Sequence, residues 1–210
     1  MILFLRHAPT AYDTGGVHRI NGWRQTPPTA EGKSALDDQA DRIADLEKQF
    51  GITIHPIVTS DLRRAADSAK VLGKALGQEV YPTAALRPWQ VGDYEGKPSA
   101  DAKPDLQYFA QHPNEQVPGG ESYNTFLGRF LPFISEYYHR EDPSQVPLLV
   151  THGRNILTAG DWVHAGAHGL DAPANHVNKM DHVADGGMAL AHDGRFEVLD
   201  AESAAGTGQS

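Results

Sequence analysis

A three-layer α/β fold, with a mainly parallel central sheet and helices on both faces, is what this sequence predicts. Three observations carry the prediction. Short apolar runs alternate with segments of helical periodicity, which is the pattern of a parallel sheet built from strand–helix units. Three of the runs stop abruptly at polar residues: Arg6-His7, Thr59-Ser60 and Thr151-His152. The helical segments are punctuated by residues that start and stop helices. With 210 residues, 40% of them hydrophobic, the chain can build one sizeable core.

Taken in order, Ile2–Leu5 reads as a buried strand ending at Arg6-His7. Thr29–Phe50 repeats apolar residues at Ala35, Leu36, Ala40, Ile43, Ala44, Leu46 and Phe50, with Thr29 as N-cap and Gly51 as C-cap. Ile54–Val58 is a second strand. Asp61–Leu76 is a helix closed by Gly77, and Glu79–Tyr81 a third strand. Between Lys97 and Pro147 seven prolines accompany two helical segments, Leu106–Gln111 and Ser122–His139. This stretch is expected to be a helical insertion, or cap, over one edge of the sheet. Leu148–Val150 is the next strand, and Gly153 opens another helix. Met188–Ala191 and Phe196–Leu199 form a hairpin around His192-Asp193-Gly194. The expectation is one domain over residues 1–202 and a small, polar, disordered tail over 203–210.

Composition removes several function classes. The net charge of −9 gives no footprint for nucleic acid or an anionic membrane. Without cysteine there are no disulfides, thiolate nucleophiles or cysteine metal sites. The opening apolar run is too short for a signal peptide, and no run has the length of a membrane span. A soluble, cytoplasmic protein is expected.

In an acidic chain, basic residues gathered at strand ends are informative. Ligands of open α/β sheets bind outside the carboxyl ends of the strands. Arg6 and His7, Arg63-Arg64 just beyond Ser60, and His152 would converge there. Imidazole can attack phosphorus to form a covalent intermediate. Arginine forks match phosphoryl oxygens and spread charge over the transition state, and a helix starting after His152 adds backbone N–H groups.

The same residues resemble the histidine phosphatase superfamily, which includes the cofactor-dependent phosphoglycerate mutases. Leu5-Arg6-His7-Ala8-Pro9-Thr10 is similar to its Leu-Arg-His-Gly-Glu-Thr signature, with Ala8 and Pro9 as departures. Further similar blocks follow in order: Arg19–Trp23, Pro27–Gly32, Thr59–Ala65, Leu86-Arg87 with Gly92–Gly96, Pro118–Ser122 and Val150–Gly153. The resemblance implies a phosphohistidine at His7, with Arg6, Arg64 and His152 clamping the phosphate and with Asn21, Thr10 and Gly153 at the substrate. It implies a phosphorylated small molecule or phosphoprotein as substrate and no cofactor.

Two departures bear on activity. Pro88 stands where the family usually has the glutamate that protonates the leaving group, so Asp93, Glu95 or Glu121 would have to replace it. Asp13 stands where an asparagine usually helps to bind phosphate, and it would repel the anion unless turned outward or protonated. Hydrolysis is favoured over a mutase activity, because mutases carry Asn-Glu-Arg-His-Tyr where this chain has Arg87–Val91. A weakly active regulatory or binding member is the third reading. For a metal, the histidines His164, His168, His176 and His182 offer spacing without convergence, so none is expected.

Overall fold

The computed structural model describes residues 1–140, 142–168 and 183–199. Its elements, in chain order, are β1 (Ile2–Arg6), α1 (Ala11–Thr14), α2 (Ala30–Phe50), β2 (Thr53–Ser60), α3 (Arg63–Leu76), β3 (Val80–Thr83), α4 (Ser99–Gln111), α5 (Tyr123–Tyr138), β4 (Gln145–Thr151), α6 (Gly153–His164), β5 (Met188–His192) and β6 (Arg195–Leu199).

The six strands form one sheet in the order β3-β2-β4-β1-β5-β6. The first four are parallel; β5 runs antiparallel to β1, and β6 antiparallel to β5. Registers align the strand ends that matter. Arg6 pairs with Thr151, and Thr59 with Val150, so Arg6, Thr151 and Ser60 finish on one edge. Because β5 is antiparallel, its start is also there, with Met188 opposite Leu5.

Strand side chains alternate between two cores, as the period of two requires. Leu3, Leu5, Ile57, Leu148 and Val150 pack against Leu36, Ala40 and Ile43 of α2 and Ala65, Ala69 and Leu72 of α3. Ile2, Phe4, Val58 and Leu149 face the other way, onto α4, α5 and α6. Phe126, Phe130, Leu131 and Ile134 of α5 are fully buried there. At about 1.5–3 kcal/mol for each such side chain, these contacts outweigh the ion pairs around Asp67, whose partners Lys33, Arg63 and Lys70 are all well exposed. The prolines between Lys97 and Pro147 do not keep the helices short. α4 begins at Ser99 rather than Leu106, and Pro104 lies inside it, as Pro132 does inside α5.

The caps follow the sequence closely. Thr29 accepts from the Gly32 amide, and Gly51 and Gly77 adopt the left-handed conformation that ends α2 and α3. The His164/His168 pair does not share a helix. α6 stops at His164, and positive φ values at Gly166 and Ala167 turn the chain before His168. His176, His182 and the tail lie outside the described residues.

Candidate active site

His7 follows directly on β1, and its backbone N–H donates to Thr151 O at 2.9 Å, tying it to the end of β4. Its side chain is 4% exposed. Nδ1 lies 2.8 Å from Ala8 O, and a carbonyl can only accept, so Nδ1 carries the proton. Nε2 therefore presents its lone pair, and it accepts from Arg64 Nε at 3.1 Å. Burial, reinforced by Arg64 and Arg6, holds the His7 imidazole well below its usual range; only the Ala8 hydrogen bond works the other way. At neutral pH the ring is uncharged, with one nitrogen available for attack.

Arg64 comes from the first turn of α3 and is 1% exposed. Its Nη1 donates to Arg24 O at 3.0 Å and its Nη2 to Gly22 O at 2.7 Å. Gly22 has φ +51°, and a Cβ there would stand 2.4 Å from the Glu95 carboxylate, so glycine is required where the loop turns to meet Arg64. Ser68 joins the segments that carry His7 and Arg64: its hydroxyl donates to Arg64 O at 2.7 Å and accepts from Ala8 N at 3.0 Å. Burial lowers Arg64 to about 10, opposed by Asp13 and Glu95, which leaves it charged at neutral pH.

His152, at the N-terminus of α6, is 3% exposed, and its ring centroid is 5.1 Å from that of His7. Among the described residues neither of its ring nitrogens has a hydrogen-bond partner. Burial depresses it well below the ordinary histidine range, with Arg64, His7, Arg6 and Arg129 adding repulsion. Arg6 donates from Nη1 to Val183 O at 2.9 Å, and its Nη2 lies 2.6 Å from Asp185 Oδ1. Gly153 passes close by: a Cβ there would touch the Arg6 guanidinium at 3.4 Å.

Arg6, His7, Arg64, His152, Gly153 and Asn21 all line one cavity of about 780 Å³. Thr10 stands one layer behind it, fully buried, capping α1. Asp13 is in the wall. It has not turned outward: its Oδ2 accepts from Thr10 N at 2.8 Å and Thr10 Oγ1 at 2.7 Å, and Asn21 Nδ2 lies 3.4 Å from both its oxygens. Pro88 also lines the cavity, presenting an apolar ring while its carbonyl accepts from Trp23 Nε1 at 2.8 Å.

None of the three candidate acids lines the cavity. Asp93 is exposed. Glu95 Oε1 accepts from Trp23 N at 2.8 Å, and Glu121 Oε1 from Arg129 Nη2 at 2.7 Å and Gln90 N at 3.0 Å. The carboxyl that does border it, besides Asp13, is Asp185. Nothing in the local pattern singles out Ala184-Asp185-Gly186-Gly187; its place follows only from β5 lying antiparallel beside β1. His7, Asp13 and Asp185 bring ligand atoms within 4.8 Å of one another, close enough to hold a metal ion. Two guanidinium groups already occupy those donors, however, Arg64 at His7 and Arg6 at Asp185, and their charge opposes a cation there.

Residues 2–181 match the family model of the histidine phosphatase superfamily, branch 1. The chain is 31% identical over 170 residues to glucosyl-3-phosphoglycerate phosphatase of Mycolicibacterium vanbaalenii, covering 75% of this chain and 72% of that one. It is 28% identical over 171 residues to the 2,3-bisphosphoglycerate-dependent phosphoglycerate mutase of a Bradyrhizobium species, covering 74% and 77%. Among solved structures, the mycobacterial glucosyl-3-phosphoglycerate phosphatase superposes with a TM-score of 0.70 at 23% identity, over 94% of this chain and 95% of that one. With its mostly parallel six-stranded sheet, its ordered motifs and this match along most of its length, the chain belongs to the histidine phosphatase superfamily.

Proposed function

We propose that the protein is a phosphatase that hydrolyses a phosphomonoester, or a similar phosphoryl compound, through a phosphohistidine at His7. The observation that carries this reading is the buried His7 ring, its Nε2 turned toward Arg64 in a cavity that also holds Arg6 and the ring nitrogens of His152, which have no hydrogen-bond partner among the described residues. A phosphoryl group supplies what this arrangement calls for: acceptor oxygens for both arginines and for His152, and an electrophilic phosphorus for His7.

In this reading Nε2 attacks phosphorus, the ester P–O bond breaks, and the positive charges stabilise the equatorial oxygens. Bound dianion raises the proton affinity of His152, which then donates to a phosphoryl oxygen. Water next attacks the phosphohistidine, releasing inorganic phosphate and His7. The roles of Arg6, Arg64 and His152 as clamp, of Asn21 and Gly153 as substrate contacts and of Pro88 at the usual acid position belong to the same proposal. So does a phosphorylated small molecule as substrate, which is supported by the relatives named for phosphoglycerates. No helix among the described residues is long and apolar enough to cross a membrane.

The test is single-turnover reaction with para-nitrophenyl phosphate, quenched in alkali to preserve phosphohistidine. Nitrophenol released in step with phosphoenzyme in wild type, and neither product in His7→Ala, is expected. Equal turnover in the two proteins would end this reading.

A further inference from the structure

We propose that Asp185 is the proton donor to the leaving group, taking over the work that Pro88 cannot do. The inference rests on the phosphohistidine reading above and adds to it the identity of the acid.

Asp185 lies in the turn that leads into β5, and that turn is fastened to the nucleophile's own backbone. Gly186 N reaches Arg6 O and His7 O, each at 3.1 Å, and Arg6 N donates to Gly187 O at 2.9 Å. Arg6 Nη1 holds Val183 O from the other side. Gly186, at φ +77°, lets the chain make the turn. Asp185 is thereby fixed relative to His7, and its carboxylate lies within 4.8 Å of both His7 and Asp13 ligand atoms. Its side chain is 19% exposed and borders the cavity. A reacting ester oxygen lies beyond phosphorus from the attacking nitrogen, so a donor must stand a few ångströms from His7 but not on it.

Elimination agrees with position. Asp13 borders the cavity too, but two donors from Thr10 fix its Oδ2 to the chain, whereas the Asp185 oxygen pairs with Arg6, a group that a bound phosphoryl oxygen can draw away. Asp93, Glu95 and Glu121 are outside the cavity lining.

Partial burial, with Asp13 beside it, pushes the Asp185 carboxyl up to about 6 against the opposing pull of Arg6, His18 and Arg64. An incoming phosphoryl dianion beside it favours the protonated form again, and draws Arg6 onto the phosphate. The step then balances. His7 Nε2 bonds to phosphorus, the P–O bond to the leaving group breaks, and the Asp185 proton passes to the departing oxygen to give the alcohol. In the second half, the carboxylate takes a proton from the attacking water as the P–N bond breaks and inorganic phosphate leaves.

The experiment compares wild type, Asp185→Asn and Asp185→Glu on para-nitrophenyl, phenyl, benzyl and ethyl phosphates under single-turnover conditions. Asparagine keeps the shape and loses the proton. It should slow ethyl phosphate by about 10²-fold or more while changing para-nitrophenyl phosphate by only about threefold, and glutamate should restore part of the loss. Equal slowing of all four esters would make Asp185 a positioning residue for Arg6 and overturn the proposal. So would no slowing at all. A variant that does not fold leaves the wild type to decide. Its ethyl-to-nitrophenyl ratio of kcat/KM, which reports the ionisation of the free enzyme, should fall as pH rises through that of Asp185 near 6, and a ratio constant across that range would overturn the assignment. Phosphoenzyme trapped from para-nitrophenyl phosphate in wild type and Asp185→Asn alike keeps the phosphohistidine reading standing whichever way the ester series falls. Its absence from wild type would instead remove both.

Discussion

Arg64 and Pro88 border the same cavity from different structural situations. Arg64 is almost wholly buried, and its guanidinium spans His7 Nε2 and the carbonyls of Gly22 and Arg24. Removing it would strand two carbonyls and the orienting contact to His7 at once. Pro88 is held through its backbone: its carbonyl accepts from Trp23 Nε1 and Arg129 Nη2, and Arg129 also caps the carbonyls of Ala84, Ala85 and Arg87. The side chain at 88 contributes only its surface. The floor of the site is thus fixed by side chains, whereas the wall is fixed by main chain and can change its side chains without losing its shape.

Mutations of the floor test that contrast most severely. His7→Ala should abolish turnover, a loss of about 10⁴-fold or more, with folding retained by circular dichroism. Arg64→Lys should lower kcat by about 10²-fold, because an ammonium cannot reach His7, Gly22 and Arg24 together. It should also lower the melting temperature, which a surface Arg→Lys change would not do. An Arg64→Lys enzyme with near-normal kcat would mean that the guanidinium is structural only.

How much of this was legible in the sequence follows the same line. The floor was readable because strand-end residues keep their place whenever the strands are parallel: Arg6, His7 and His152 sit where the apolar runs stop, and Arg64 one helical turn beyond Ser60. The caps at Thr29, Gly51 and Gly77 were readable for a local reason, since each satisfies helix-end groups within a few residues. The wall was not. Asp185 reaches the site only because β5 pairs antiparallel with β1, a long-range fact with no local signature. Glu121 is held by Arg129, eight residues on in α5, a pairing that no local spacing rule picks out. Pro104 misled for the opposite reason, as its local helix-breaking tendency was overridden by burial of Ala102 and Leu106 against the core.

Asp13 lies between floor and wall, and its replacement should have an intermediate effect. Its carboxylate faces the cavity, where it repels a dianion, while Thr10 and Asn21 hold it in place. Asp13→Asn keeps an acceptor for Thr10 and removes the charge. Inorganic phosphate should then inhibit about tenfold more tightly, read as a lower Ki against para-nitrophenyl phosphate. Unchanged inhibition would place the bound phosphate away from Asp13.

Acid titration of stability should separate floor from wall by sign. His7 and His152 are depressed well below 6.5 in the folded protein, so below that pH the unfolded chain binds protons that the native state refuses. Their contribution is present at neutral pH and is lost as pH falls. Asp185 is raised from 3.8 to about 6, so its contribution is present in acid and is lost as pH rises through 6. His152→Gln should therefore shrink the fall in melting temperature on acidification from neutral pH. Asp185→Asn should gain on wild type as pH increases through 6. Parallel curves for the two variants would mean that neither group is perturbed as its surroundings require.

The smallest expected effect is the most discriminating one. Pro88 has no N–H to lose, its carbonyl contacts do not depend on its side chain, and the residue before it is already extended, with φ −61° and ψ 147°. Pro88→Glu should fold, and it should present a carboxyl at the cavity wall. With Asp185 in place a second acid is redundant, so ethyl phosphate hydrolysis should rise by about threefold or less. In the Asp185→Asn background the same substitution should recover about tenfold or more on ethyl phosphate and little on para-nitrophenyl phosphate. The cycle reads coupling between the two positions directly, because any general damage or relaxation caused by glutamate at 88 appears in both backgrounds and cancels. Equal gains in the two backgrounds would show that Asp185 and a carboxyl at position 88 do different work, and that the wall holds a proton donor other than Asp185.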